Sequence, residues 1–198
     1  PDLSQNLDGG HEDDYNRLPQ YGTTLARIGL MAGARMTLEL APFCPEGYSP
    51  GAYLRDTYGV PLLRMNLPVG LRDTDAFIAT LGGPIPATVR EERARYLDAM
   101  IDAHKYNAQS RVAVFGEPDM VLALVRASCE NGAVPVVAAT GSRCAAFEKT
   151  LAPDMAQATE TQFSGDYDIL NFADFAAIEN ALLARKANLM LGNSDGRR

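Results

Sequence analysis

The chain alternates between two hydrophobic rhythms. Short runs such as "RVAVFG" (111–116), "VPVVAATG" (134–141) and "NLMLGN" (188–193) are nearly all apolar and end on glycine or polar residues. Such runs predict strands of a parallel sheet covered on both faces. Between them, "PDMVLALVRASCENG" (118–132), "RCAAFEKTLA" (143–152) and "DFAAIENALLARK" (174–186) place apolar residues three and four apart, the period of a helix with one buried face. The first half repeats the alternation. "GTTLARIGLMAGA" (22–34) predicts a helix capped by Thr23 or Thr24 and broken at Gly33, and "RMTLELA" (35–41) a strand of period two. "SPGAYLRDTYG" (49–59) predicts a helix from an N-cap at Ser49 to a stop at Gly59. "VPLLRMNLPVG" (60–70) is a strand running into a loop, "DTDAFIATLGG" (73–83) a short helix, and "IPATVREERARYLDAMIDAHKYNA" (85–108) a long one. "ATETQF" (158–163) reads as a weak strand.

This order predicts an α/β fold of Rossmann-like, three-layer lobes, with mostly parallel sheets flanked by helices. The long helix is the natural divide, so residues 1–84 and 85–198 are expected to form parts of two lobes. The chain opens on a polar loop, "PDLSQNLDGG", and closes on a strand followed only by a loop. In α/β proteins such loops join strands to helices, so the chain is expected to be a fragment of a longer protein.

Composition narrows the function classes. A net charge of −7 and a pI near 4.8 argue against non-specific nucleic-acid binding, which needs clustered Lys and Arg. No apolar run approaches the roughly 20 residues of a membrane span, and no signal-peptide pattern opens the chain. A soluble, cytoplasmic protein is expected, with no nucleic-acid or membrane partner. Cys44, Cys129 and Cys144 are far apart and show neither zinc-site pairs nor a disulfide framework. Cys129, late in an apolar helix, reads as a core thiol. Cys144 is expected to open a helix, whose positive end would favour a thiolate. An iron–sulfur cluster needs about four thiolates, more than these residues supply.

Candidate chemistry gathers in four places. In α/β folds ligands sit at the carboxyl ends of the strands. The loops "FGEPD", "ATGS" and "GNSDG" hold that position. In "FGEPD", Pro118 suits the first helical position and Asp119 the positive helix end, whereas Glu117 and Asp119 would repel an anion. "ATGS" could offer N–H groups of Gly141 and Ser142 to an anion, but it lacks both the G-x-G-x-x-G fingerprint and the Walker lysine. Asn193, Ser194 and Asp195 could bind a ligand or make an Asx-type turn. The only histidines, His11 and His104, are tied to no Ser or Cys by local motif, so a hydrolase triad has no support. The fourth place is "LDAMIDAHKY", where Asp98 and Asp102 point the same way from one helix, with Cβ atoms about 6 Å apart. Paired carboxylates suit a hard divalent cation, which takes about 6–8 oxygen ligands, so two side chains leave the shell incomplete. The plain alternative is a solvated face. On that reading Tyr96, Leu97, Met100, Ile101 and His104 form the buried stripe, and Arg95 and Lys105 neutralise the aspartates.

Several segments, in order and with sensible spacing, carry a resemblance: "GTTLARI", "YGVPLLRMNLPVGLRDTDAFI", "GGPIPATVREERARYLDAMIDAHKY", "RVAVFGEPDMVLALV", "NGAVPVVAATGS" and "LMLGNSDG". Together they resemble the nitrogenase component 1 family, most closely its β-type subunits. Two branches fit: the subunit of the iron–molybdenum cofactor assembly scaffold, and the catalytic β chain of the molybdenum–iron protein. "PDLSQNLDGG" before "GTTLARI" is more similar to the scaffold. The resemblance implies a three-lobed subunit in an α2β2 heterotetramer with an α-type paralogue and a second β-type chain, served by an iron protein reductase. Residues 1–84 then belong to the middle lobe and 85–198 to most of the third. An iron–sulfur cluster and the iron–molybdenum cofactor or its precursor are implied for the full-length complex. The family's cluster cysteines lie upstream, and Cys44, Cys129 and Cys144 do not match them. No catalytic or cofactor-binding residue is therefore expected here, and the fragment alone should be inactive. By position, Asp98 and Asp102 match aspartates of a cation site where two β chains meet. The alternative of another class is a freestanding Rossmann-like module that binds a nucleotide or anion.

Overall fold

The computed structural model describes residues 23–161 and 165–193. They fall into two compact units, one of residues up to Glu39 with Pro45–Leu63, the other of Leu40–Cys44 with the chain from Arg64 onward.

In the first unit, α1 (Leu25–Gly29) starts at Thr24, whose side chain accepts from the Arg27 N–H. It tightens at Leu30 into a 3-10 turn that ends at Gly33, so the expected helix is half as regular as its sequence implies. β1 (Thr37–Glu39) and β2 (Leu62–Arg64) form a two-stranded sheet. Between them runs α2 (Pro50–Tyr58), capped as the sequence predicts. Ser49 accepts from Ala52 N–H at 2.8 Å and donates to Glu39 at 2.6 Å, while Gly59 closes the helix at φ 72°. Left-handed backbone of this kind favours glycine.

The second unit is built on a four-stranded, all-parallel sheet in the order β5-β4-β3-β6. Its strands are β3 (Arg111–Phe115), β4 (Val134–Thr140), β5 (Asp168–Asn171) and β6 (Leu189–Leu191). Three helices cover it: α5 (Pro118–Glu130), α6 (Phe147–Thr161) and α7 (Phe175–Arg185). Alternation along β3 sorts the two faces. Val112 and Val114 join Leu122, Val125, Phe147, Leu151 and Met155 from α5 and α6. Ala113 and Phe115 turn to the clusters that hold Ala181 and Ile178 of α7. Every residue of β4 is buried, as a central strand covered on both faces requires. The β3–β4 register slips between Val112 and Ala113, beside Pro135, which has no N–H for the ladder.

Two sequence expectations fail here. The segment read as a weak strand at 158–163 is helical through Thr161, with Thr159 buried and its hydroxyl donating to the Met155 carbonyl at 2.9 Å. The strand between α6 and α7 is β5, which pairs with β4. In addition, α6 starts at Phe147 and not at Cys144, because the Asn171 side chain grips the Cys144 N–H at 3.1 Å and its carbonyl at 2.7 Å.

Two further helices complete this unit, α3 (Leu71–Leu81) and α4 (Ala87–Asn107). Among the described residues no helix is long and apolar enough to cross a membrane.

Candidate functional site

α4 presents Asp98 and Asp102 to solvent, both exposed. Four residues apart, they lie on one helix face, as the spacing predicts. Neither makes a hydrogen bond or ion pair among the described residues, and the expected neutralising partners look elsewhere. Arg95 pairs with Glu92 at 2.6 Å, and the Lys105 ammonium lies 4.9 Å from the centre of the Tyr106 ring. Among the described residues no three His, Cys, Asp or Glu side chains gather closely enough to hold a metal ion. Among the described residues the pair is thus two solvent-facing carboxylates without a protein partner.

The rest of α4 is equally open. None of its 21 residues is buried. The expected apolar stripe is only half covered: Leu97 and Met100 are partly buried, whereas His104 is exposed and Ile101 is 73% exposed. Among the described residues several side-chain contacts tie the helix down. Arg93 donates to both Asp75 carboxylate oxygens at 2.9 Å, from Nε to Oδ1 and from Nη2 to Oδ2. That guanidinium holds the Asp75 carboxyl below the usual aspartate range. Asn131 donates to the Tyr96 hydroxyl at 3.0 Å, and the His104 ring lies close against Gly132. Between α3 and α4 is a cleft of about 460 Å³ with Leu71, Ile78, Ile85, Val89 and Tyr96 in its walls.

The loops at the carboxyl end of the sheet are tied to one another. Pro118 opens α5, as the sequence predicts. Glu117 accepts from the Ser142 hydroxyl at 3.0 Å, and Asp119 accepts from the Phe43 N–H at 3.1 Å. The Ser142 N–H donates to the buried Thr140 hydroxyl. An anion at "ATGS" would meet a carboxylate and a donor already engaged, so this geometry disfavours the nucleotide or anion module. In "GNSDG", Gly192 packs so closely on the Phe115 ring that no Cβ fits. Ser194 and Asp195 lie outside the described residues, as does His11.

One charged cluster escaped the sequence reading. On α5, Arg126 pairs with Asp154 of α6 at 2.8 Å and lies 3.6 Å from Asp73 of α3, a carboxylate only 7% exposed. Asn66 donates to Asp73 at 3.0 Å. Glu130 accepts from the N–H groups of Leu71 at 2.6 Å and Arg72 at 3.0 Å. It caps α3 from another helix, because the N-cap residue, Gly70, has no side chain to do so. These contacts start α3 two residues before the sequence reading. The sequence signal was Arg126 and Glu130, four apart in a largely apolar helix. Cys129 sits in the same cluster, its thiol donating to the Asp154 carbonyl at 3.9 Å. Burial, with the Asp154 charge, pushes that thiol up to about 11, which makes it an inert core thiol at neutral pH.

Comparison with known proteins agrees along nearly the whole chain. The family model for nitrogenase component 1 type oxidoreductases matches residues 6–198. The molybdenum–iron protein β chain of Clostridium pasteurianum is 31% identical over 175 residues, covering 84% of this chain and 38% of that one. The vanadium–iron protein β chain of Trichormus variabilis is 30% identical over 192 residues, covering 93% of this chain and 41% of that one. The solved structure of nitrogenase Cp1 at pH 6.5 superposes with a TM-score of 0.81 at 28% identity, over 98% of this chain and 42% of that chain. The chain therefore spans about two fifths of the length of the relatives it matches.

Proposed function

The chain belongs to the nitrogenase component 1 type oxidoreductase family, and on that premise we propose that it serves as part of a β-type subunit in iron–molybdenum cofactor assembly for nitrogen fixation. The observation that carries the β-type reading is the likeness to nitrogenase β chains through nearly the whole chain. The scaffold role rests on "PDLSQNLDGG" before "GTTLARI". A second reading, the catalytic β chain that passes electrons to the dinitrogen-reducing cofactor, is favoured by the names of its relatives, which are β chains of nitrogenase proteins. In both readings residues 1–84 belong to a middle lobe and 85–198 to a third, although α3 folds with the later unit.

The cysteines of this chain do not fit an iron–sulfur cluster. Cys129 is half-buried with its thiol pushed up to about 11, and no metal-ligating trio forms among the described residues. Cluster and cofactor ligands then come from elsewhere in the complex, and no step through either is derived from these residues. Their part is to carry surfaces. The bare face of α4 is read as the meeting point with a second β-type chain, where Asp98 and Asp102 supply half of a cation shell and the other chain or water the remainder. An α-type subunit and an iron protein complete the assembly.

The test is to express the full-length gene product with its α-type partner. Co-purification as a brown heterotetramer with acid-labile sulfide is the expected result. Delivery of cofactor precursor to a catalytic protein that lacks it assigns the scaffold role; dinitrogen reduction with the iron protein assigns the catalytic one. A colourless monomer that binds nucleotide overturns both.

A further inference from the structure

We draw no further inference here: the strongest candidate, the surface patch at the carboxyl ends of β4 and β5 where the Arg143 guanidinium lies 4.2 Å from the centre of the exposed Phe172 ring and Phe172 adopts φ 58°, carries nothing because nothing in the structure shows what covers it.

Discussion

β4 and α4 belong to the same compact unit and are treated in opposite ways. All seven residues of β4 are buried between two layers of helices, while none of the 21 residues of α4 is. The strand is stabilised within this chain, since each fully buried aliphatic side chain contributes about 1.5–3 kcal/mol. The helix is held by an exposed ion pair, a few hydrogen bonds, a ring contact and the partly buried Leu97 and Met100, and it keeps Ile101 and Tyr106 more than two thirds exposed. A helix that long, with large apolar residues in water, is underused by its own chain. The difference separates what folds the unit from the face that the proposed assembly would use.

The contrast predicts graded effects. Phe147→Ala removes a fully buried ring that packs with Leu122, Leu151 and Met155. It should cost about 3–5 kcal/mol in denaturant unfolding of the chain. Arg126→Met removes the more buried of the two guanidinium groups shared by Asp73 and Asp154, leaving them only the exposed Arg72 at 4.0 and 3.9 Å, at a cost of about 2–3 kcal/mol. Equal stability of that variant would show that the cluster is solvated rather than structural.

Arg93→Ala breaks a pair whose two side chains are nearly half exposed, so global stability should fall by about 1 kcal/mol or less. The change should appear instead as faster amide exchange confined to α4. Acid does the same. Because the folded Asp75 carboxyl lies below its ordinary 3.8, its contribution is complete above that value and is lost as pH falls through the lower, folded value. α4 should therefore keep its protection from neutrality down to the ordinary aspartate range and lose part of it only below. Loss already between pH 7 and 5 would implicate another group. The smallest effect belongs to Asp98→Asn with Asp102→Asn, expected within about 0.5 kcal/mol of the parent for the chain alone, since neither carboxylate has a partner among the described residues. Titration of calcium or iron into the isolated chain should likewise show no binding tighter than millimolar, and a tight site would mean that other ligands of this chain close the shell.

How far the sequence could be read follows the same line. The strands β3, β4 and β6 and the caps at Thr24, Ser49 and Gly59 were legible, because apolar runs and capping residues act locally. β5 was missed because Asp168–Asn171 is short and partly polar, and earns its place through pairing with β4. The start of α6 is set by Asn171, 27 residues from the Cys144 backbone it grips. The Asp73–Arg126–Asp154 cluster joins α3, α5 and α6, and no local period marks such partners. At the candidate site, the shared face of Asp98 and Asp102 was legible from spacing alone. The bareness of α4 was not, since an apolar stripe in sequence does not say whether its cover lies in the same chain.

The most direct test of α4 as an interface helix is hydrogen exchange, resolved by peptide, on the chain alone and on the assembled complex. In isolation, residues 87–107 should exchange far faster than β4, and in the complex their protection should rise while β4 stays unchanged. Strong protection of α4 in the isolated chain, or none gained on assembly, would contradict the account.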